Sequence, residues 1–155
     1  MKHLEREVSF AELMPLIEDS FEQGLSITLT VVGRSMRPLF FDKRDSVILS
    51  ACDPYSLKRG DVPLYRRDNG QYVLHRIVQV CEDTYTLTGD AQWELETGLP
   101  KDHVVAVMTG FIRKGKRVDC QNFGYRIYTT LWLWLLPVRP FIARVFRVLR
   151  GYKTK

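Results

Sequence analysis

From Leu25 to Val118 the chain is a succession of short apolar or alternating runs, each closed within a few residues by a turn signal. The candidate strands are LSITLTVV, SVILSAC, DVPLYRR, QYVLHRIVQVC, TYTLTG and VVAVMTGFIRKGKRV; Arg59-Gly60-Asp61 and Asp68-Asn69-Gly70 mark two of the turns between them. In the first run Leu25, Ile27, Leu29 and Val31 share one face, the period of a half-buried strand. Many short strands at close spacing predict a mainly β fold, a coiled antiparallel sheet or partial barrel. With 155 residues there is room for one domain with a real core and an appendage.

Helical patterns flank this β region. Residues 9–23 begin with Ser9 and Glu12 at the capping-box offset and carry Phe10, Leu13, Ile17 and Phe21 at near-helical spacing before Gly24. The chain therefore divides into an N-terminal helical segment (1–24), a β-rich domain (25–120) and a C-terminal helical tail (121–155). The tail is where the charge lies. Residues 1–112 hold 12 Lys and Arg against 17 Asp and Glu, whereas residues 113–155 hold 11 against one. Such segregation points to an anionic partner for the tail, either phospholipid or nucleic acid, or to a solvated basic face. Trp132 and Trp134 sit among leucines instead of alternating with basic residues, which favours an anionic membrane surface met through residues 125–155, or the domain's own core, over nucleic acid. The apolar run from Leu131 to Leu136 is too short to span a bilayer, and Pro137, Arg139 and Pro140 follow it, so an interfacial amphipathic helix is the expectation. The N-terminus MKHLEREVSFAEL lacks the apolar region of a signal peptide.

Chemistry is restricted by what is missing. Cys52, Cys81 and Cys120 are odd in number and widely spaced, which argues against a disulfide framework and a paired-ligand zinc site. No phosphate-binding glycine loop or nucleotide fingerprint occurs, so no cofactor and no metal is expected. Serine hydrolysis is the one class with every part present: a hydroxyl, a base of near-neutral pKa and a group to fix the base in one tautomer. In VVGRSMRPLF a Gly-Arg-Ser knot and a proline interrupt a strand, a bend that either makes a plain turn or lifts the Ser35 hydroxyl out of the sheet. His75 is the best placed of three histidines, flanked by apolar residues that favour its neutral form. Asp90, after Thr88-Gly89, is the first carboxylate of a group that includes Glu94 and Glu96.

The order GRSMRP, LKRGDVPLY, YVLHRIVQV, YTLTGDAQ resembles the type I signal peptidase family in its serine-histidine branch, over roughly residues 25–112. The resemblance implies a β-fold of the signal-peptidase type, with Ser35 as nucleophile, His75 as general base where the other bacterial branch has lysine, and Asp90 as the acid that orients His75, Glu96 being the alternative. Two positions depart from the family pattern: Gln92 stands for an asparagine and Glu96 for an aspartate. A third departure is that an acidic amphipathic segment precedes Ser35 in place of the family's spanning helix.

The resulting expectation is a serine endopeptidase acting on a leader-bearing peptide or protein through an acyl-enzyme, associated with a membrane from the cytoplasmic side. Two other readings remain open: a soluble peptidase like the self-cleaving repressors, which use serine and lysine, and a catalytically silent module whose tail holds lipid or nucleic acid.

Overall fold

The computed structural model describes residues 10–142, 144 and 145. The expected Ser9 cap, His3 and the basic residues beyond Val145 lie outside the described residues. Helix α1 spans Phe10–Glu22 and buries Met14 and Ile17 on one face. It ends where Gly24 takes φ of 72°, a conformation only glycine adopts freely, so that the Gly24 and Leu25 N–H groups turn back onto the Phe21 and Ser20 carbonyls.

Among the described residues nine strands follow, all paired antiparallel: β1 (Ile27–Thr30), β2 (Ser46–Ser50), β3 (Pro63–Arg66), β4 (Tyr72–Leu74), β5 (Arg76–Val80), β6 (Thr84–Thr88), β7 (Glu96–Pro100), β8 (Val104–Arg113) and β9 (Lys116–Asp119). The larger sheet runs β1-β2-β8-β3-β4, with β9 folded back on β8; the smaller runs β5-β6-β7. The fold is thus mainly β, a curled half-barrel flanked by helices. Two expected strands are each divided in two. QYVLHRIVQVC breaks at His75, sending β4 into one sheet and β5 into the other, and VVAVMTGFIRKGKRV turns at Lys114-Gly115, both with positive φ, so that Arg113 faces Lys116. Strand β7 went unforeseen because only Leu99 in it is buried, so its residues carry no alternation.

Two apolar clusters hold the layers. One, under the large sheet, joins Met36, Leu39 and Phe40 of the β1–β2 loop to Leu49, Leu64 and Phe111. The other lies between the sheets, around Tyr65, Ile77, Tyr85 and Leu87. Of the expected shared face in the first strand, Ile27, Leu29 and Val31 pack on the core, whereas Leu25 is exposed.

The described part of the C-terminal tail is docked on one side only. Helix α2 spans Phe123–Leu135, capped by the Asn122 side chain, which accepts from the Gly124 and Tyr125 N–H groups, and a 3-10 turn at Leu136–Val138 carries the chain on. Tyr125 and Trp132 are buried against the domain. Phe123, Ile127, Leu131, Trp134, Val138 and Phe141, three or four residues apart, form an exposed apolar stripe. No helix among the described residues is long and apolar enough to cross a membrane.

The two tryptophans should therefore differ sharply in urea denaturation: Trp132→Ala is expected to cost about 3 kcal/mol or more, and Trp134→Ala to stay within about 0.5 kcal/mol of the parent.

Candidate active site

The β1–β2 loop that carries Ser35 is closed at its neck by backbone bonds from Val31 N–H to Asp45 O (2.9 Å) and from Lys43 N–H to Val31 O (2.8 Å). Gly33, at φ of 96°, makes the bend and donates to Asp42 Oδ1 at 2.8 Å. Met36, Leu39 and Phe40 are pulled into the core, which leaves Ser35 half-buried at its rim. The loop's far end is held by the buried Asp45 carboxylate, which accepts from the Phe41 N–H and from Arg44; the Arg44 bonds lower its pKa to about 2 against the opposing effect of burial.

Residues 89–92 form the second wall. The Ala91 N–H donates to the Ser35 carbonyl at 2.8 Å, and Gly89 lies so close that a Cβ there would stand 2.5 Å from that carbonyl oxygen and 3.0 Å from Ser35 Cβ. His75, at the break between the two sheets, is almost fully buried. It shares a cavity of about 360 Å³ with Ser35, Met36 and Gln92, whose apolar lining includes Leu29, Val31 and Leu64. A second cavity of about 560 Å³ also reaches His75 and Gln92, together with Trp93 and Glu96. The structure thus brings Ser35 and His75 to one cavity, with no direct hydrogen bond between their side chains among the described residues.

Asp90 does not meet the imidazole. Its two carboxylate oxygens each accept from Arg76, Oδ1 from Nε and Oδ2 from Nη2, both at 2.8 Å, and the Tyr128 hydroxyl donates to Oδ2 at 2.9 Å. Arg76 and Asp90 are wholly buried, and a buried guanidinium claims the nearest carboxylate before a neutral ring can. The hydrogen bond expected from His75 to Asp90 is therefore replaced by a different connection. His75 Nδ1 lies 3.1 Å from the Tyr65 hydroxyl, which donates to Glu96 Oε2 at 2.6 Å; that oxygen is 3.8 Å from Nδ1. Arg67 grips Glu96 with two further bonds, Nε to Oε1 at 2.9 Å and Nη2 to Oε2 at 2.8 Å. Glu96, the alternative acid, is the one connected to the imidazole, through Tyr65.

Burial, then the Arg67 charge, pushes the His75 pKa down to about 4, with Glu96 and Asp90 acting weakly the other way. Burial works against ionisation of Glu96, yet the bonds from Arg67 and Tyr65 and the Arg67 charge hold its carboxyl below the usual range. Tyr65 moves well up, through burial and then its bond to Glu96, so it stays a neutral phenol. Sequence reasoning missed Tyr65 and Arg67, which read as strand residues in DVPLYRR, and missed the contribution of α2. Trp132 Nε1 donates to the Asp90 carbonyl at 3.2 Å, and Arg139 Nη2 donates to the same oxygen while lying over the Trp132 and Trp93 rings.

Three outcomes follow from this geometry. Asp90→Asn leaves Arg76 buried without its counter-charge and should cost about 3–5 kcal/mol in urea unfolding. Gly89→Ala forces the Ser35 loop aside and should lower reactivity of Ser35 toward a serine-directed phosphonate by roughly 10²-fold, since small misplacement of reacting groups is expensive, with the far-UV spectrum unchanged. The pH dependence has a definite sign. The folded His75 titrates below its ordinary value of 6.5, so the unfolded chain binds more protons between about 4 and 6.5; the stabilising contribution of the neutral ring is complete above 6.5 and is lost as pH falls through that window. The acid limb of phosphonate labelling should accordingly have its midpoint near 4 and not near 6.5. Comparison with protein-family models, with curated proteins and with solved structures finds no match to this chain, so the functional reading rests on the residues and geometry above.

Proposed function

We propose that this chain is a serine endopeptidase of the signal-peptidase type, which cleaves an extended leader-like peptide at a membrane surface. The observation that carries the reading is the meeting of Ser35 and a buried, neutral His75 at one apolar cavity. Ser35 Oγ attacks the peptide carbonyl as its proton passes to His75. The imidazolium then returns that proton to the leaving amine as the C–N bond breaks, and water, activated by the same base, releases the acyl group. Backbone N–H groups at the Ser35 bend supply the oxyanion donors. The substrate lies as an added strand along β1, an edge strand of the large sheet, with an apolar side chain directed into the cavity lined by Leu29, Val31 and Leu64.

Membrane association is the second part of the reading, and it rests on the exposed stripe of α2 together with the basic excess of residues 113–155. Apolar side chains enter the headgroup boundary while arginines such as Arg126 and Arg144, both exposed, meet lipid phosphate. The positive-inside tendency favours the cytoplasmic leaflet.

A serine-reactive phosphonate or penem should label the purified protein, and labelling should vanish in both Ser35→Ala and His75→Gln while each variant remains folded. Labelling that persists in Ser35→Ala, or none in the folded parent, removes the peptidase and leaves a binding module. Sedimentation with vesicles containing anionic lipid should capture the parent and weaken with salt. The double substitution Leu131→Glu, Trp134→Glu, which touches only the outer face of α2, should abolish capture without loss of fold. Equal capture of that variant, or competition by duplex DNA at matched salt, would sink the membrane reading.

A further inference from the structure

We propose that Tyr65 is the residue that sets the tautomer of His75, fixing the ring proton on Nδ1 and leaving Nε2 as the only nitrogen able to accept the Ser35 proton. This deepens the peptidase reading and rests on it for the use of the ring, although the tautomer itself does not.

The argument is a count of protons. A phenol carries one hydrogen and can donate it once. Glu96, held by two bonds from Arg67, is an ionised carboxylate that can only accept, and the 2.6 Å separation from Tyr65 Oη to Glu96 Oε2 is that of a short charge-assisted bond. The phenolic hydrogen is therefore committed to Glu96. The contact of 3.1 Å between Tyr65 Oη and His75 Nδ1 must then have the ring as donor, because two acceptors cannot share a bond without a hydrogen. A neutral imidazole has one N–H, so with Nδ1 protonated the lone pair lies on Nε2.

The interposed phenol also explains a division of labour. Direct contact of the carboxylate with the ring would raise the pKa of the imidazole further, whereas at 3.8 Å from Nδ1 Glu96 is near enough to stabilise the imidazolium formed in the reaction while the resting ring stays neutral. Tyr65 is well placed for this fixed role. It is fully buried in β3, paired with Val73 of β4 and Val104 of β8, so its ring cannot swing away without opening the sheet.

The test uses the full chain with ¹⁵N-labelled histidine. Two-bond ¹⁵N–¹H correlation at neutral pH should show the His75 ring protonated on Nδ1 and bare on Nε2; a ring protonated on Nε2 overturns the assignment without need of any variant. In Tyr65→Phe, which keeps the ring volume, the His75 population should shift toward the Nε2–H form, and kcat or the phosphonate acylation rate should fall roughly 10²-fold or more with KM little changed. An unchanged tautomer in folded Tyr65→Phe overturns the proposal. The two readings fail separately. Labelling of Ser35 by a protein whose His75 carries its proton on Nε2 refutes the tautomer assignment alone, whereas the expected tautomer in a parent that is never labelled refutes the peptidase and the catalytic use of the ring.

Discussion

The buried pair of Arg76 and Asp90 is the interaction on which the arrangement of the molecule depends. Arg76 uses its planar fork fully: Nε and Nη2 bond Asp90, while Nη1 reaches the Gly60 carbonyl, the Tyr125 hydroxyl and Thr129 Oγ1. The rings of Tyr125, Tyr128 and Trp132 all lie within 6 Å of the guanidinium carbon, at 5.8, 5.7 and 5.5 Å. One cation thus ties together the small sheet, the turn before β3, the turn after β6 and helix α2. Such a pair adds little net stability against an apolar replacement of the same shape, but losing one partner is costly, so its contribution is to specify one arrangement.

The consequence reaches Ser35 through short steps. Asp90 is fixed by Arg76, and its carbonyl by Trp132 and Arg139; the next residue, Ala91, holds the Ser35 carbonyl. Gly89, on the other side of Asp90, permits the close approach of the two loops that any Cβ would prevent. The serine is therefore positioned from behind by a charge network, while the histidine beside it is positioned by a different one, Tyr65, Glu96 and Arg67. Separate networks let the same site hold one carboxylate as a structural anchor and another as partner of a buried imidazole.

Helix α2 belongs to both the core and the surface. Its inner face closes over the Arg76–Asp90 pair and shields it from water, which keeps those interactions strong. Its outer face leaves large apolar side chains exposed. Removing the tail to ask whether it binds lipid would uncover the charge pair as well, which is why the two faces have to be separated by point substitutions.

The sequence by itself determined the mainly β fold, the flanking helices, the bend at Ser35 and the burial of His75, because each is a local matter of period, glycine or proline at a turn, and a polar residue among apolar ones. It did not reveal the breaks at His75 and Lys114, since a continuous run of strand formers looks the same whether it stays in one sheet or passes into a second. Nor could it choose between Asp90 and Glu96. In sequence both come after the same β6 run, and the choice is made by which cation each carboxylate reaches: Arg76 beneath α2 for one, Arg67 just past the end of β3 for the other. Tyr65 and the paired faces of α2 were likewise decided only by the tertiary structure, because a hydrogen bond across 10 residues of chain or a docking across 49 depends on how distant elements come together, and local pattern carries no record of that.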